Sequence, residues 1–584
     1  MLKDLEGISI TVDLNIKIGG AAGQGLDTIG SVLSKTLMKC GFFVFGTQYY
    51  LSRIRGGHNT FQIRISNEPV SAMDEEVDIL IALDRDSIEK YIDGMSDGVV
   101  IVDRDVVQFD KEHDSLFHVP LLKIAKDTGG NKLYANSVAV GAAMGLMCLD
   151  FDVLAGVLSS IFKKKGQEII DTNIKAARMG YDYAKDNYPQ GCKFSIEEPE
   201  KHENKMLIAG NDAVALGALA AGLHFLSAYP MTPSTGVMNY IAGKSDKLAV
   251  VVEQAEDEIS ALNMALGASF TGARSMVTTS GGGFSLMVEA LGLAGATETP
   301  VVIFLAQRPG PATGLPTMTE QGDLLFALHA AQGEFPRCIL APGTPEECFY
   351  MTAEAFNIAD QYQIPVIVMS DQYLADSLFT CERFDPSKVS IDRHLLSDED
   401  IRDLEEEYKR YELTSTGISP RALPGQKGVL VCADSDEHNE FGHIDESQGN
   451  RIDMTCKRMN KLELLADGMQ PPEVYGPEDA DLTLIGWGST YGPLAEVVDT
   501  LNDKGGSVNL VHFSRIYPLP VERTRNILSR FNKRVCVENN ITGQFARLLG
   551  IETGIEISEK VLRYDGLPFS PQSIIDDLKQ KGMV

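Results

Sequence analysis

Tyr229-Pro230-Met231-Thr232-Pro233-Ser234 ends a strand-like apolar run and turns the chain at two prolines. Proline fixes φ and has no amide hydrogen, so this turn is stiff and has few backbone donors. The hydroxyls of Thr232 and Ser234 are therefore predicted to face a ligand. Taken alone, the same pattern is also typical of an ordinary turn that terminates a strand.

On both sides of this turn, strand-like runs alternate with helical patterns. The alternation indicates parallel α/β sheets. An earlier block begins similarly, with a strand at Ile16–Ile18, a glycine loop at 19–25 and a helix, and a third block restarts near residue 478. The fold class is therefore α/β and multidomain. Strands of the middle block are predicted at 206–209, 248–252, 275–279, 301–306 and 365–370.

Composition narrows the classes of function. A chain of 584 residues exceeds what one core can organise. Its net charge of −30 repels nucleic acid and anionic membranes. Nine cysteines without Cys-x-x-Cys spacing indicate reduced, mostly buried thiols of a cytoplasmic protein, and no metal site is predicted on this chain. No signal-peptide core or transmembrane-length apolar run is apparent.

Three more segments carry polar groups beside predicted strands. Glu253-Gln254-Ala255-Glu256-Asp257-Glu258 precedes a small-residue helix, where the helix dipole alone would favour acids. Thr279-Ser280-Gly281-Gly282-Gly283 follows one strand and Arg308-Pro309-Gly310 another, the position at which α/β proteins place ligand groups. Glycines also serve simple strand–helix packing, and an arginine in a surface loop is common.

Together these four segments resemble the 2-oxoacid:ferredoxin oxidoreductase family, most closely its 2-oxoglutarate-specific alpha subunits with a fused gamma domain. The resemblance implies a gamma-like α/β domain at 1–190, a linker at 191–205 and a thiamine-diphosphate pyrimidine-binding α/β domain at 206–385. A connecting region at 386–477 and a transketolase C-terminal-like α/β domain at 478–584 follow.

The resemblance also implies roles for single residues. Glu258, rather than Glu253 or Glu256, hydrogen-bonds N1′ of the thiamine aminopyrimidine and activates the cofactor as its base partner. Thr232 and Arg308 are catalytic and hold the 2-oxoacid, with Thr317 also binding substrate. Further cofactor contacts are expected from Tyr229, Pro230, Ser280 and Gly281.

The glycine loop after the first strand has two interpretations. Its glycines do not fit the GxGxxG register of a dinucleotide site, because position 28 is Thr, so NAD binding is disfavoured. By resemblance, Gly23, Gln24 and Gly25, with Arg55 downstream, lie near coenzyme A.

The sequence lacks the Gly-Asp-Gly motif with which thiamine enzymes hold the diphosphate and magnesium. The resemblance therefore implies a beta subunit that carries the diphosphate, Mg²⁺ and a 4Fe-4S cluster, in a heterotetramer of two alpha and two beta chains that reduces ferredoxin. The implied reaction is reversible oxidative decarboxylation of 2-oxoglutarate to succinyl-CoA and CO₂.

Several alternatives remain open at the level of sequence. The same chemistry could act on pyruvate, a branched-chain 2-oxoacid or indolepyruvate, since no residue reports the length of the substrate. A scaffold subunit without catalysis is another class of function, although a scaffold would not need Thr232, Glu258, Arg308 and Thr317 together. The loop Asp434–His438 lacks the spacing of a calcium loop, which favours a solvated loop.

Overall fold

The computed structural model describes residues 12–53, 56–95, 97–109, 111–189, 191–201 and 203–584. The strands are β1 (Asp13–Ala22), β2 (Phe43–Tyr49), β3 (Gly56–Ser66), β4 (Ile79–Ala82), β5 (Val99–Val102), β6 (Leu116–His118), β7 (Lys205–Ala209), β8 (Phe225–Ala228), β9 (Val251–Gln254), β10 (Ser275–Thr279), β11 (Val301–Gln307), β12 (Cys338–Leu340), β13 (Pro365–Asp371), β14 (Leu378–Glu382), β15 (Glu473–Tyr475), β16 (Leu482–Trp487), β17 (Val508–Phe513), β18 (Arg515–Tyr517), β19 (Arg534–Glu538) and β20 (Glu559–Leu562).

The helices alternate with these strands, as the sequence predicts. They are α1 (Leu26–Lys39), α2 (Arg85–Tyr91), α3 (Leu121–Gly129), α4 (Ala135–Met147), α5 (Phe151–Phe162), α6 (Gln167–Asn187), α7 (Gly210–Ala220), α8 (Thr235–Ala242), α9 (Glu258–Phe270), α10 (Gly281–Ala296), α11 (Leu324–His329), α12 (Pro345–Tyr362), α13 (Gln372–Asp376), α14 (Asp398–Arg402), α15 (Gln448–Gly468), α16 (Tyr491–Asp503), α17 (Val521–Leu528), α18 (Gln544–Thr553) and α19 (Pro571–Gln580). No helix in these described ranges is long and apolar enough to cross a bilayer.

The first compact unit comprises the described residues of Met1–Ile208 together with Ser377–Arg383. Its sheet has the order β6-β5-β4-β1-β3-β2-β14-β7, parallel from β1 to β6 and antiparallel where β1, β3, β2 and β14 pair. The strand predicted at 206–209 exists, but as an edge of this sheet. It does not open the sheet of the middle block, because β14 returns from residue 378 to lie beside it.

Cysteine pairing differs from the prediction that all nine thiols are reduced. Cys148 and Cys192 form a disulfide in the first unit, with Cα atoms 5.5 Å apart. The backbone amide of Phe194 donates to the carbonyl of Leu146, which brings the chain after α6 back to the end of α4. Tertiary folding thus joins two cysteines that are 44 residues apart, a pairing that their spacing does not encode.

The second unit comprises Ala209–Asp376 and Phe384–Val584. Its larger sheet has the order β18-β12-β13-β11-β10-β8-β9, with parallel pairing except between β12 and β18. The smaller sheet has the order β15-β17-β16-β19-β20. Ile303 and Leu305 of the larger sheet share one apolar core with Trp487, Phe513 and Phe545 of the C-terminal block.

One predicted strand of this unit has different bounds. The apolar run 248–252 predicts a strand, but β9 begins at Val251 and continues through two polar residues to Gln254. Val251 is exposed because β9 is the edge of the sheet and, among the described strands, pairs only with β8. At an edge the side chains need not be apolar, so the hydrophobic pattern shifts relative to the strand.

Charged residues in the predicted connecting region 386–477 are partly buried. Lys457 and Lys461 of the long helix α15 both pair with the buried Glu298, which follows α10. A buried charge needs such a partner, because desolvation without compensation is costly. Periodicity based on apolar residues therefore overlooks this face of α15.

Candidate active site

Four neighbouring parallel strands of the second unit end at one edge of the sheet. In spatial order they are β11, β10, β8 and β9. The residues that follow them are respectively 308–317, 280–283, 229–234 and 255–258, the four segments singled out in the sequence. Because the carboxyl ends of parallel strands meet at one edge, the fold gathers segments that span about ninety residues of sequence into one site.

The turn after β8 is organised by internal hydrogen bonds. The Ser234 hydroxyl is buried and donates to the carbonyl of Met231 at 2.8 Å. The amide nitrogen of Asn211, from α7, donates to the carbonyl of Pro233 at 2.9 Å. The expectation that Ser234 faces a ligand is therefore wrong, since its hydroxyl closes the turn, whereas Thr232 is only half-buried.

Tyr229 and Pro230 begin the same turn, directly after β8. Tyr229 is 40% exposed and Pro230 is half-buried. Both residues lie at the strand edge, where a bound molecule or a second chain can reach them.

Glu258 is the first residue of α9 and is 3% exposed. The preceding Asp257 caps the helix, because its carboxylate accepts from the Ser260 amide at 2.7 Å. Hydrogen bonds from the backbone and the side chain of Ser260 lower the pKa of Asp257. Glu258 is thus not needed as a cap. Its Oε1 atom is buried and has no hydrogen-bond partner within the described ranges, whereas Glu253 and Glu256 are exposed.

Glycines at the start of α10 make room for two carboxyl groups. A Cβ atom at Gly283 would lie 2.5 Å from Oε1 of Glu258, and one at Gly281 would overlap Oδ2 of Asp323. Gly282, between them, has only a distant neighbour at 3.8 Å. The predicted cofactor contact Ser280 occupies the N-cap position of this helix but makes no cap hydrogen bond, and its hydroxyl is buried without a partner in the described structure.

Arg308 follows β11 and reaches across the edge to the turn after β8. Its Nη1 donates to the backbone carbonyl of Thr232 at 2.8 Å. Burial lowers the pKa of the Arg308 guanidinium, and the charges of Asp323 and Glu258 oppose that shift. The fold therefore brings together Thr232, Glu258 and Arg308, which the family resemblance implies as the catalytic set.

The loop after Arg308 is exposed from Gly310 to Leu315 and then re-enters the protein at the buried Thr317. Gln321, which is 0% exposed, anchors the C-terminal end of this loop. The side chain of Gln321 donates to the carbonyl of Trp487 at 2.8 Å and accepts from the amide of Asn539 at 3.1 Å. The C-terminal block thus positions the loop that carries Thr317.

Asp323 is a site residue that sequence reasoning missed. Burial, with the charge of Glu320 added, raises the pKa of the Asp323 carboxyl to about 7, although Arg308 lowers it. Its Oδ2 atom is buried and has no hydrogen-bond partner in the part of the chain described. Asp323 immediately precedes α11, so the sequence suggests an ordinary helix cap, but its side chain makes no cap hydrogen bond.

The predicted coenzyme A segment lies in the first unit, between β1 and α1. Gly23 and Gly25 have φ of 90° and 89°, the left-handed region that glycine tolerates. The Gln24 side chain accepts from the Ala21 amide at 2.7 Å and donates to the carbonyl of Leu83 at 3.3 Å. Gln24 therefore stabilises its own loop, and Arg55 lies outside the described residues.

Within the described ranges, no three His, Cys, Asp or Glu side chains are grouped closely enough to hold a metal ion. In the loop Asp434–His438, the His438 ring is buried and its Nδ1 lies 3.0 Å from the carbonyl of Asp436.

Comparisons with known proteins agree with this arrangement. Residues 216–457 match the family described as "Pyruvate flavodoxin/ferredoxin oxidoreductase, thiamine diP-bdg", so the gathered site lies in a thiamine-diphosphate-binding domain. Residues 15–183 match "Pyruvate ferredoxin/flavodoxin oxidoreductase".

Several relatives align with nearly the whole of this chain. A 2-oxoacid:ferredoxin oxidoreductase 2 alpha subunit of Aeropyrum pernix is 31% identical, covering 95% of this chain and 96% of its own. The 2-oxoglutarate oxidoreductase subunit KorA of Mycobacterium tuberculosis is 29% identical over 96% of this chain and 90% of its own. The solved 2-oxoglutarate:ferredoxin oxidoreductase of Magnetococcus marinus, with 2-oxoglutarate, coenzyme A and succinyl-CoA bound, is 34% identical, has a TM-score of 0.90 and covers 97% of this chain and 99% of its own. This chain therefore belongs to the family of 2-oxoacid:ferredoxin oxidoreductase alpha subunits, which are oxidoreductases.

Proposed function

We propose that this chain is the alpha subunit of a coenzyme A-dependent enzyme that oxidatively decarboxylates 2-oxoglutarate to succinyl-CoA and CO₂ and passes the electrons to ferredoxin. One observation carries the proposal: Glu258 is buried beside Gly283, with a carboxylate oxygen that has no partner among the described residues, at the same strand edge as Arg308. An orphaned buried acceptor costs free energy unless a ligand satisfies it, so a ligand is expected there.

Thiamine diphosphate fits this site at its pyrimidine end. Glu258 would share a proton between its Oε1 and a ring nitrogen of the cofactor. The Ser280 hydroxyl, at the same edge of the sheet, is a second buried polar group without a partner among the described residues. Tyr229, Pro230 and Gly281 would line the same face. When bound, the cofactor supplies the stabilised carbanion that decarboxylation of a 2-oxoacid requires.

The substrate would bind through Arg308, whose guanidinium can hold a carboxylate with two parallel hydrogen bonds. The contact between Arg308 and the Thr232 carbonyl fixes the guanidinium at the site. Thr232 and Thr317 would contact the 2-oxoacid from the two flanking loops. The choice of 2-oxoglutarate rests on the Magnetococcus marinus and Mycobacterium tuberculosis relatives, and the alternatives are pyruvate, branched-chain 2-oxoacids and indolepyruvate.

A partner chain would complete the cofactor site, since the sequence has no Gly-Asp-Gly motif for the diphosphate. We assign Mg²⁺ and a 4Fe-4S cluster to a beta subunit, in a cytoplasmic heterotetramer. Apolar side chains exposed around the site support such a contact, namely Val251, Ile259, Leu286 and Leu315. In the gamma-like domain, Gly23, Gln24, Gly25 and Arg55 would lie near coenzyme A. The domain limits predicted from the sequence remain part of the proposal.

The test is a purified complex of this chain with its partner, assayed for coenzyme A-dependent viologen reduction with several 2-oxoacids. Activity highest on 2-oxoglutarate is expected, and activity highest on another 2-oxoacid would change the substrate only. Glu258→Gln should assemble normally and lose about 10²–10⁴-fold in kcat. Glu256→Gln, an exposed neighbour, is the matched control and should retain activity. Near-normal turnover of the Glu258→Gln complex would refute the role of Glu258.

A further inference from the structure

The pocket around Arg308 contains more carboxyl groups than one arginine can balance. Asp323 and Glu258 both act on Arg308 through their charges. Glu320, half-buried in the preceding loop, acts on Asp323. A 2-oxoacid adds a further carboxylate at Arg308, and like charges in a shared low-dielectric site disfavour one another's ionised form.

Among these acids, Asp323 has the geometry of a group that changes its protonation state. Its Oδ2 lies against the backbone of Gly281 at the start of α10, buried and without a hydrogen-bond partner in the described structure. The Asp323 amide donates to the Gln307 side chain at 2.9 Å, which fixes the residue at the end of β11. No hydrogen bond of the described chain therefore holds Oδ2 in its ionised form.

Few charged groups face Asp323 from the elements around it. Arg308, which follows β11, and Glu320, in the loop before Asp323, act on Asp323 through their charges. Glu258, which starts α9, acts on Arg308. The first turn of α10 offers only glycine backbone. On the side of α11 and α18, the contact is uncharged, because Gln544 accepts from the amide of Leu325 and donates to the carbonyl of Gly322.

We propose that Asp323 is a positioning residue that couples substrate binding to proton uptake: it counterbalances Arg308 in the free enzyme and takes up one proton from solvent when the 2-oxoacid carboxylate binds to Arg308. The proton compensates the charge that the substrate brings, so Arg308 is released to bind it. Proton uptake on binding means that affinity falls as pH rises above the pKa of the free group, about 7. This inference rests on the proposed function.

The test is the pH dependence of kcat/KM for 2-oxoglutarate in the complete complex, because kcat/KM reports groups of the free enzyme. In the wild type, kcat/KM should be constant below about pH 7 and fall about tenfold per pH unit above it. Asp323→Asn, neutral and of equal size, should keep the low-pH value across the range. It should therefore exceed the wild type above about pH 8, which structural damage cannot produce.

A second variant moves the transition instead of removing it. Glu320→Gln removes a negative charge that raises the pKa of Asp323, so the fall in kcat/KM should begin at lower pH. Glu334→Gln, an exposed carboxyl elsewhere in the same domain, is the control and should leave the profile unchanged.

The two proposals fail in different ways. A wild-type complex that turns over 2-oxoglutarate with pH-independent kcat/KM, or an Asp323→Asn complex that keeps the wild-type fall, would overturn the proton coupling alone. An unshifted transition in Glu320→Gln would contradict the assignment to Asp323. Absence of turnover with any 2-oxoacid in the wild-type complex would overturn the proposed function as well.

Discussion

Replacing Glu298 by Gln should destabilise the second unit by about 3–5 kcal/mol, the usual cost of removing one partner of a buried ion pair. Glu298 accepts from Lys457 Nζ at 2.6 and 2.8 Å and also pairs with Lys461. All three side chains are at most 2% exposed, so solvent cannot replace the lost carboxylate. The two lysines hold the pKa of Glu298 below its usual range, and this stabilisation is present above about pH 4.5.

Urea denaturation of this chain at neutral pH, followed by the fluorescence of its single tryptophan, Trp487, in the shared core, measures the loss. Glu334→Gln, which removes an exposed carboxyl, is the control and should change stability by less than about 0.5 kcal/mol. A loss below about 1 kcal/mol in Glu298→Gln would refute the argument, because the buried Lys457 and Lys461 would then be tolerated without a counter-charge.

The pH dependence gives a second check on the same cluster. Burial lowers the pKa of Lys461 to about 7 despite Glu298. Between about pH 7 and the ordinary pKa of lysine the unfolded chain then binds more protons, so this residue makes stability rise with pH. Lys461→Met should flatten that rise and partly rescue Glu298→Gln. An unchanged slope in Lys461→Met would contradict the assignment.

Two further substitutions test the geometry of the site. Gly283→Ala should lower kcat by at least about tenfold, or ~1.4 kcal/mol, because its Cβ would lie 2.5 Å from Oε1 of Glu258. Gly282→Ala, where a Cβ has space, is the control and should be near wild type. Equal activities of the two variants would exclude a Glu258 carboxylate held against Gly283. Gln321→Ala leaves the Asn539 amide without its acceptor and removes one donor to the Trp487 carbonyl, which also accepts from the Thr490 hydroxyl. It should therefore raise KM for the 2-oxoacid and cost about 1–3 kcal/mol in stability. Reduced stability with unchanged KM would limit Gln321 to a structural role.

The sequence was sufficient for the fold class and for the segments that form the site. Continuous apolar runs predict most strands of the middle block, because parallel strands covered on both faces are buried along their whole length, as β11 and β13 are. The apolar pattern fails at β9, an edge strand, and along α15, where buried lysines are compensated by Glu298. Local patterns report burial of apolar groups and not burial of paired charges.

Candidate residues could be named from the sequence, but tertiary contacts decided whether each is buried and whether its polar atoms are paired. Glu258 differs from Glu256 only in that the helix cap at Asp257 and the glycine at 283 direct it into the protein. Asp323 gave no signal of its own, since its unpaired oxygen depends on α10. The disulfide between Cys148 and Cys192 likewise forms because the chain after α6 comes back to the end of α4. Sequence determines which strand ends carry polar groups, whereas burial and pairing depend on packing between segments distant in the chain.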